Sequence, residues 1–288
     1  MLLLDGAMGT ELQKRGMHGN TALSNVQKPN IVASIHRAYL EAGAEILETN
    51  TFAGGRYALR REDKLTSEKV LANRYNQPGV HILNKVVGSR KDIYIAGSIG
   101  PIGKLVASPK KRHLARDIYM SEEEARAIFK EQVLALKEGG VDFILIETMI
   151  DLNEAVLALK AAKSARLVTA VSFNVEENLK TPFGDSITMI ARKCEDSGAD
   201  LIGINCGSGI ASAIKITREL KILTSRPLII YPNAGRPNAR GKYSESPSYM
   251  ANYVKDLIKA GANIIGGCCG TTPEHIKAFR QVIDRNEK

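Results

Sequence analysis

Short, wholly apolar runs recur along this chain, too brief for helices, and amphipathic stretches fill the intervals between them. Four runs share one template of helix end, glycine turn, acid or its amide, and apolar segment. They are Ala42-Gly43-Ala44-Glu45-Ile46-Leu47-Glu48-Thr49, Gly139-Gly140-Val141-Asp142-Phe143-Ile144-Leu145-Ile146-Glu147-Thr148, the stretch from Ser197 to Cys206, and the stretch from Ala260 to Cys269. A continuous apolar run after a helix-ending glycine reads as a strand buried on both faces, as in a parallel sheet. Further strands are expected at Leu2 to Asp5, Ile93 to Ser98, Leu167 to Phe173 and Leu228 to Tyr231, which makes eight. Helix starts fall between them: Ser121-Glu122-Glu123-Glu124 reads as a capping box opening a helix to about Glu138. Asp151 caps the next, and Thr272-Pro273-Glu274 begins the last with proline at its first position. Eight βα units in 288 residues predict a closed (β/α)8 TIM barrel, a single domain over residues 1–288. A doubly wound open sheet is the alternative.

Candidate chemistry sits where the template ends. Cys206 closes one run and Cys268-Cys269 close another, so three thiols stand at strand C-termini, the face where a parallel barrel gathers its catalytic groups. Such a cluster reads as an open zinc site, because zinc takes thiolates at about 2.3 Å and three protein ligands leave a fourth position free. Three thiolates make the ion a poor activator of water but still a soft centre for a substrate thiol, which is otherwise mostly protonated at neutral pH. The chemistry implied is alkyl transfer to sulfur. Cys194, mid-helix in Ile190-Ala191-Arg192-Lys193-Cys194, reads as core filler.

Composition narrows the setting. Four cysteines without a secretory signal, and an apolar N-terminus that stops at Asp5, fit a reducing, cytoplasmic protein without a membrane span. The formal charge of +9 is spread over helices. Its one cluster, Lys110-Lys111-Arg112-His113, lacks interleaved aromatics and reads as a solvated loop, so no nucleic-acid partner is expected.

Five stretches together resemble the zinc-dependent homocysteine S-methyltransferase family, which includes the homocysteine-binding module of cobalamin-dependent methionine synthase. They are Leu4-Asp5-Gly6-Ala7-Met8-Gly9-Thr10-Glu11-Leu12, Glu48-Thr49-Asn50-Thr51-Phe52, Gly203-Ile204-Asn205-Cys206, Tyr231-Pro232-Asn233-Ala234-Gly235 and Gly266-Gly267-Cys268-Cys269-Gly270-Thr271-Thr272-Pro273. The resemblance implies that Cys206, Cys268 and Cys269 bind zinc and that homocysteine sulfur takes the fourth position. It implies that Asp5 and Gly6 hold the amino-acid end of homocysteine and that Glu147 faces its ammonium. Asn233 matches a position that approaches the metal when substrate is absent, and Thr51 is a candidate for the pocket lining. Local readings stand beside these: Asp5 as a turn cap, Asn233 as a turn former, Thr51 as a partner for loop amides.

The implied reaction is methylation of homocysteine to methionine. Ala53 after Thr51-Phe52, where betaine-dependent members carry tyrosine, disfavours betaine as donor. A methyl-corrinoid or methylfolate supplied by a separate domain or a methyl-carrier protein is expected, with a small sulfonium such as S-methylmethionine as the alternative. A barrel aldolase or lyase would instead need a Schiff-base lysine or a phosphate loop, and a structural zinc protein would close its metal with four ligands.

Overall fold

The computed structural model describes residues 1–107 and 119–286. The basic cluster at residues 110–113 lies outside them. Eight strands run in parallel: β1 (Leu2–Leu3), β2 (Ile46–Glu48), β3 (Tyr94–Ile99), β4 (Phe143–Met149), β5 (Val168–Phe173), β6 (Leu201–Cys206), β7 (Leu228–Pro232) and β8 (Ala262–Ile265). β1 pairs with β8, and a bridge between Leu4 and Ile46 joins β1 to β2, so the sheet closes on itself. That closure decides for the (β/α)8 TIM barrel over the open sheet.

The four-copy template acquires a physical meaning at the bottom of the barrel. Gly43, Gly140, Gly198 and Gly261 all have positive φ, between 87° and 112°, where an L side chain would be strained. Two residues later, each copy's polar side chain accepts the backbone N–H of a neighbouring strand: Glu45 from Leu3 at 3.0 Å, Asp142 from Ile95 at 2.7 Å, Asp200 from Thr169 at 2.8 Å and Asn263 from Leu228 at 2.9 Å. Every even strand thus latches the odd strand before it. Arg280 pairs with Glu45 and Lys163 with Asp200, tying outer helices to two of the latches.

Alternation along the strands separates two cores. Residues such as Ile95, Ile144, Val171, Ile202 and Ile230 face the helices, while Leu4, Ile46, Ala96, Leu145, Ala170, Ile229 and Ile264 fill the barrel interior. At the matching place on β6 stands Gly203, where a Cβ would lie 1.8 Å from the Ile229 carbonyl oxygen. One step further up, at the same parity, the interior turns polar: Glu48, Ser98, Glu147, Ser172, Asn205 and Tyr231 form the layer on which the site is built. Helix starts match expectation, with Ser121 accepting from the Glu124 N–H, Asp151 from the Glu154 N–H, and the last helix opening at Pro273.

Candidate active site and metal centre

Cys206 ends β6, and Cys268 and Cys269 follow β8, so barrel closure brings the two strand ends together. The three sulfurs lie within 4.8 Å of one another, with Cys206 and Cys268 at 3.1 Å. Among the described residues no fourth histidine, cysteine or carboxylate joins the group. Electrostatics match a site made for a cation. Hydrogen bonds from Cys206 and Cys268 hold Cys269 down to about 3, while hydrogen bonding with Cys206, and then with Cys269, pushes the Cys268 thiol well up. Three thiols so close cannot all ionise without a positive charge among them. The donor set is soft and all-sulfur, which fits zinc and leaves part of a tetrahedral shell to a ligand. Cys194 is fully buried in the outer core and raised to about 12 by burial, as a filler thiol should be.

The sulfurs lie at one wall of a cavity of about 250 Å³, also lined by Gly6, Glu48, Phe52, Ser98, Glu147 and Tyr231. Among the described lining residues none is lysine, arginine or histidine, so the lysine that a Schiff-base aldolase requires is not among them. Glu147 is 6 % exposed and accepts a hydrogen bond from Ser98; burial raises it to about 7 against the pull of that bond. Glu48 hydrogen-bonds Glu147 and is raised by burial and then by the neighbouring charge of Glu147. Behind them Asp5 is also raised, chiefly by burial; its carboxylate accepts the Glu48 N–H at 3.1 Å, and its second oxygen, Oδ1, is buried without a partner among the described residues. None of the described ion pairs neutralises these three acids. An ammonium entering the cavity would meet at least one carboxylate that is otherwise uncompensated.

Of the candidates read from sequence, Cys206, Cys268, Cys269, Gly6 and Glu147 therefore meet at one cavity. Asp5 sits just behind its wall. Thr51 is not brought to it: the residue is fully buried, its hydroxyl bonded to the Ser98 carbonyl at 2.8 Å and to Thr49 at 2.5 Å, so it braces the loop after β2. Asn233 likewise stands outside the lining. Its N–H donates to the Cys206 carbonyl at 3.0 Å and its amide to the Gly207 carbonyl at 3.1 Å, while its side-chain oxygen is buried without a partner. The sequence reading passed over Glu48, Tyr231 and Asn205. The available signal was parity, since each lies two residues beyond an interior position, Ile46, Ile229 or Gly203.

Fold and site together define a parallel barrel with a metal-competent three-cysteine cluster at its catalytic mouth. The chain belongs to the homocysteine S-methyltransferase family, whose model matches residues 2–283, and it is thus a methyltransferase of that family. It is 31% identical to a methionine synthase of Mycobacterium leprae over 98% of this chain, and spans 24% of that protein's length. The homocysteine methyltransferase MmuM of Escherichia coli superposes in its metallated form with TM-score 0.78 at 25% identity, over 98% of this chain and 96% of that one. Its oxidised form gives 0.81 at 26%, over 98% and 95%. A methyltransferase from Methanosarcina mazei, at 14% identity and TM-score 0.65, shares the fold. No helix among the described residues is long and apolar enough to cross a membrane.

Proposed function

We propose that residues 1–288 form one homocysteine-binding barrel that methylates the thiol of homocysteine to give methionine. The observation that carries this reading is the placement of a soft three-sulfur cluster and a pair of uncompensated carboxyls on one cavity of about 250 Å³. Homocysteine has one end for each. Cys206, Cys268 and Cys269 would hold zinc, which when bound supplies a soft cation that keeps a thiol deprotonated near neutral pH. Glu147, seconded by Glu48 and Asp5, receives the substrate ammonium and so fixes which way the amino acid lies. Gly6 lines the cavity at the amino-acid end, where a Cβ would collide with the Tyr39 and Thr271 side chains behind it. The buried walls exclude water from the sulfur, which remains the nucleophile offered to an incoming methyl at the mouth.

The donor we infer is a methyl-corrinoid or methylfolate presented by a separate domain or protein. A small sulfonium such as S-methylmethionine is the second reading. It is favoured by Phe52, which lines the cavity, is 37 % exposed and packs across Gly100, so that an aromatic ring stands at the cavity where a cationic donor would arrive.

The purified protein should carry about one zinc per chain, lost when Cys206, Cys268 and Cys269 are all replaced by alanine and kept in Cys194→Ala. Calorimetry of homocysteine binding to Glu147→Gln should show a loss of about 1.5–3 kcal/mol with zinc retained, the range for a hydrogen bond to a charged group. Full zinc in the triple variant would end the metal reading. Turnover measured with a methylcobalamin protein, methylfolate and S-methylmethionine in parallel separates the donors.

A further inference from the structure

Asn205 is 3 % exposed and stands near the end of β6, directly before Cys206. Its side-chain oxygen accepts from the Thr148 backbone N–H at 2.9 Å and from the Ser172 hydroxyl at 2.9 Å. A backbone N–H can only donate, so the amide cannot be turned over and its nitrogen must face the other way. Of the two protons on that nitrogen, one goes to the Thr148 hydroxyl at 2.6 Å. The other is left for the sulfurs of Cys206 and Cys268, which lie 3.6 and 3.7 Å from the nitrogen. Ser172 is in turn held by Tyr231 at 2.5 Å, so the orientation is propagated inward from β7.

The backbone on either side is poised in the same way. Thr148 and Cys206 both have positive φ, 57° and 61°, a region sparsely used by residues other than glycine and strained for a β-branched one. Asn205 bonds both the N–H and the hydroxyl of Thr148, which fixes that conformation, and it directly precedes Cys206 in the chain.

We propose that Asn205 is the positioning residue of the sulfur cluster, sharing one amide proton between Cys206 and Cys268 so that the pair is pre-oriented and part of its negative charge is drawn off. This rests on the reading that the three cysteines hold a metal. Three thiolates over-neutralise a divalent ion, and an N–H donated to two of them offsets the excess without occupying a ligand position. The amide would thereby leave a bound zinc a better acceptor for a substrate thiol than three bare thiolates alone would.

The test compares zinc-loaded wild type with Asn205→Leu, which has nearly the same shape and no charge but has no N–H. Transfer of zinc to a chromophoric chelator should be about tenfold faster or more in the variant, the usual scale for a lost partner of a metal ligand. In the cobalt-substituted proteins the thiolate-to-metal charge-transfer band should move to lower energy, which a merely structural role would not produce. Ser172→Ala, which removes one of the two bonds fixing the amide oxygen, should shift both readouts in the same direction and decides the matter if Asn205→Leu does not fold. An unchanged band and unchanged release overturn the proposal. A wild-type protein that takes up neither metal overturns the metal reading instead, and the two failures are thereby distinguishable.

Discussion

Single buried carboxyls set how this protein should respond to pH. Glu154 lies in the first turn of the helix after β4 and, rather than reaching back to its own cap, accepts the Ile102 N–H at 2.7 Å and so pins the loop after β3. Burial raises it to about 7 from an ordinary 4.5. The folded state therefore binds a proton there that the unfolded chain has released. Its contribution is complete below pH 4.5 and is lost as pH rises through about 7. The shift corresponds to something on the order of 3 kcal/mol. Denaturant titrations at pH 5 and pH 8 should show wild type losing stability between the two by more than Glu154→Gln does. Equal slopes in the two proteins would mean that Glu154 ionises normally. Placement at the cavity was legible in the sequence where it depends on residue type at a strand end, as for the three cysteines and Glu147. It was not legible for Asn205, Glu48 and Tyr231, whose roles depend on which strand faces which, nor for Thr51, whose hydroxyl is satisfied by a carbonyl on the next strand.

At the level of elements, the repeated template announced four of the eight strands, because a glycine turn followed by a polar residue marks each entry into an even strand. What it does not encode is the acceptor's partner, which lies on another strand and is supplied only by barrel closure. Strand limits moved by a residue or two for the same reason: β1 shortened to Leu2–Leu3 where Leu4 becomes the seam to β2, and β7 extended to Pro232 where it pairs with Cys206. The latches should carry stability rather than activity, being at the opposite end of the strands from the sulfurs. Asp200→Ala orphans the Thr169 N–H and the Lys163 ammonium, and a loss of about 1–3 kcal/mol in unfolding free energy is expected. Zinc content and homocysteine affinity should remain as in wild type. A variant as stable as wild type would show that water replaces the latch at no cost.

The molecule as a whole is assembled from odd–even strand pairs, since each latch joins β1 to β2, β3 to β4, β5 to β6 or β7 to β8 and none crosses between pairs. A break in the chain after Arg166 therefore severs no latch, whereas one at Ser197 divides the pair β5 and β6. Halves made by co-expressing residues 1–166 with 167–288 should co-purify through a tag on one of them, and in higher yield than the pair split at Ser197; equal yields would argue against paired units. The same division sorts the chemistry. All three cysteines belong to the second half, while Asp5, Glu48 and Glu147 belong to the first. An amino acid held by its sulfur on one side and its ammonium on the other is then a rivet between two half-shells, and homocysteine should slow their dissociation even though it touches neither half's core.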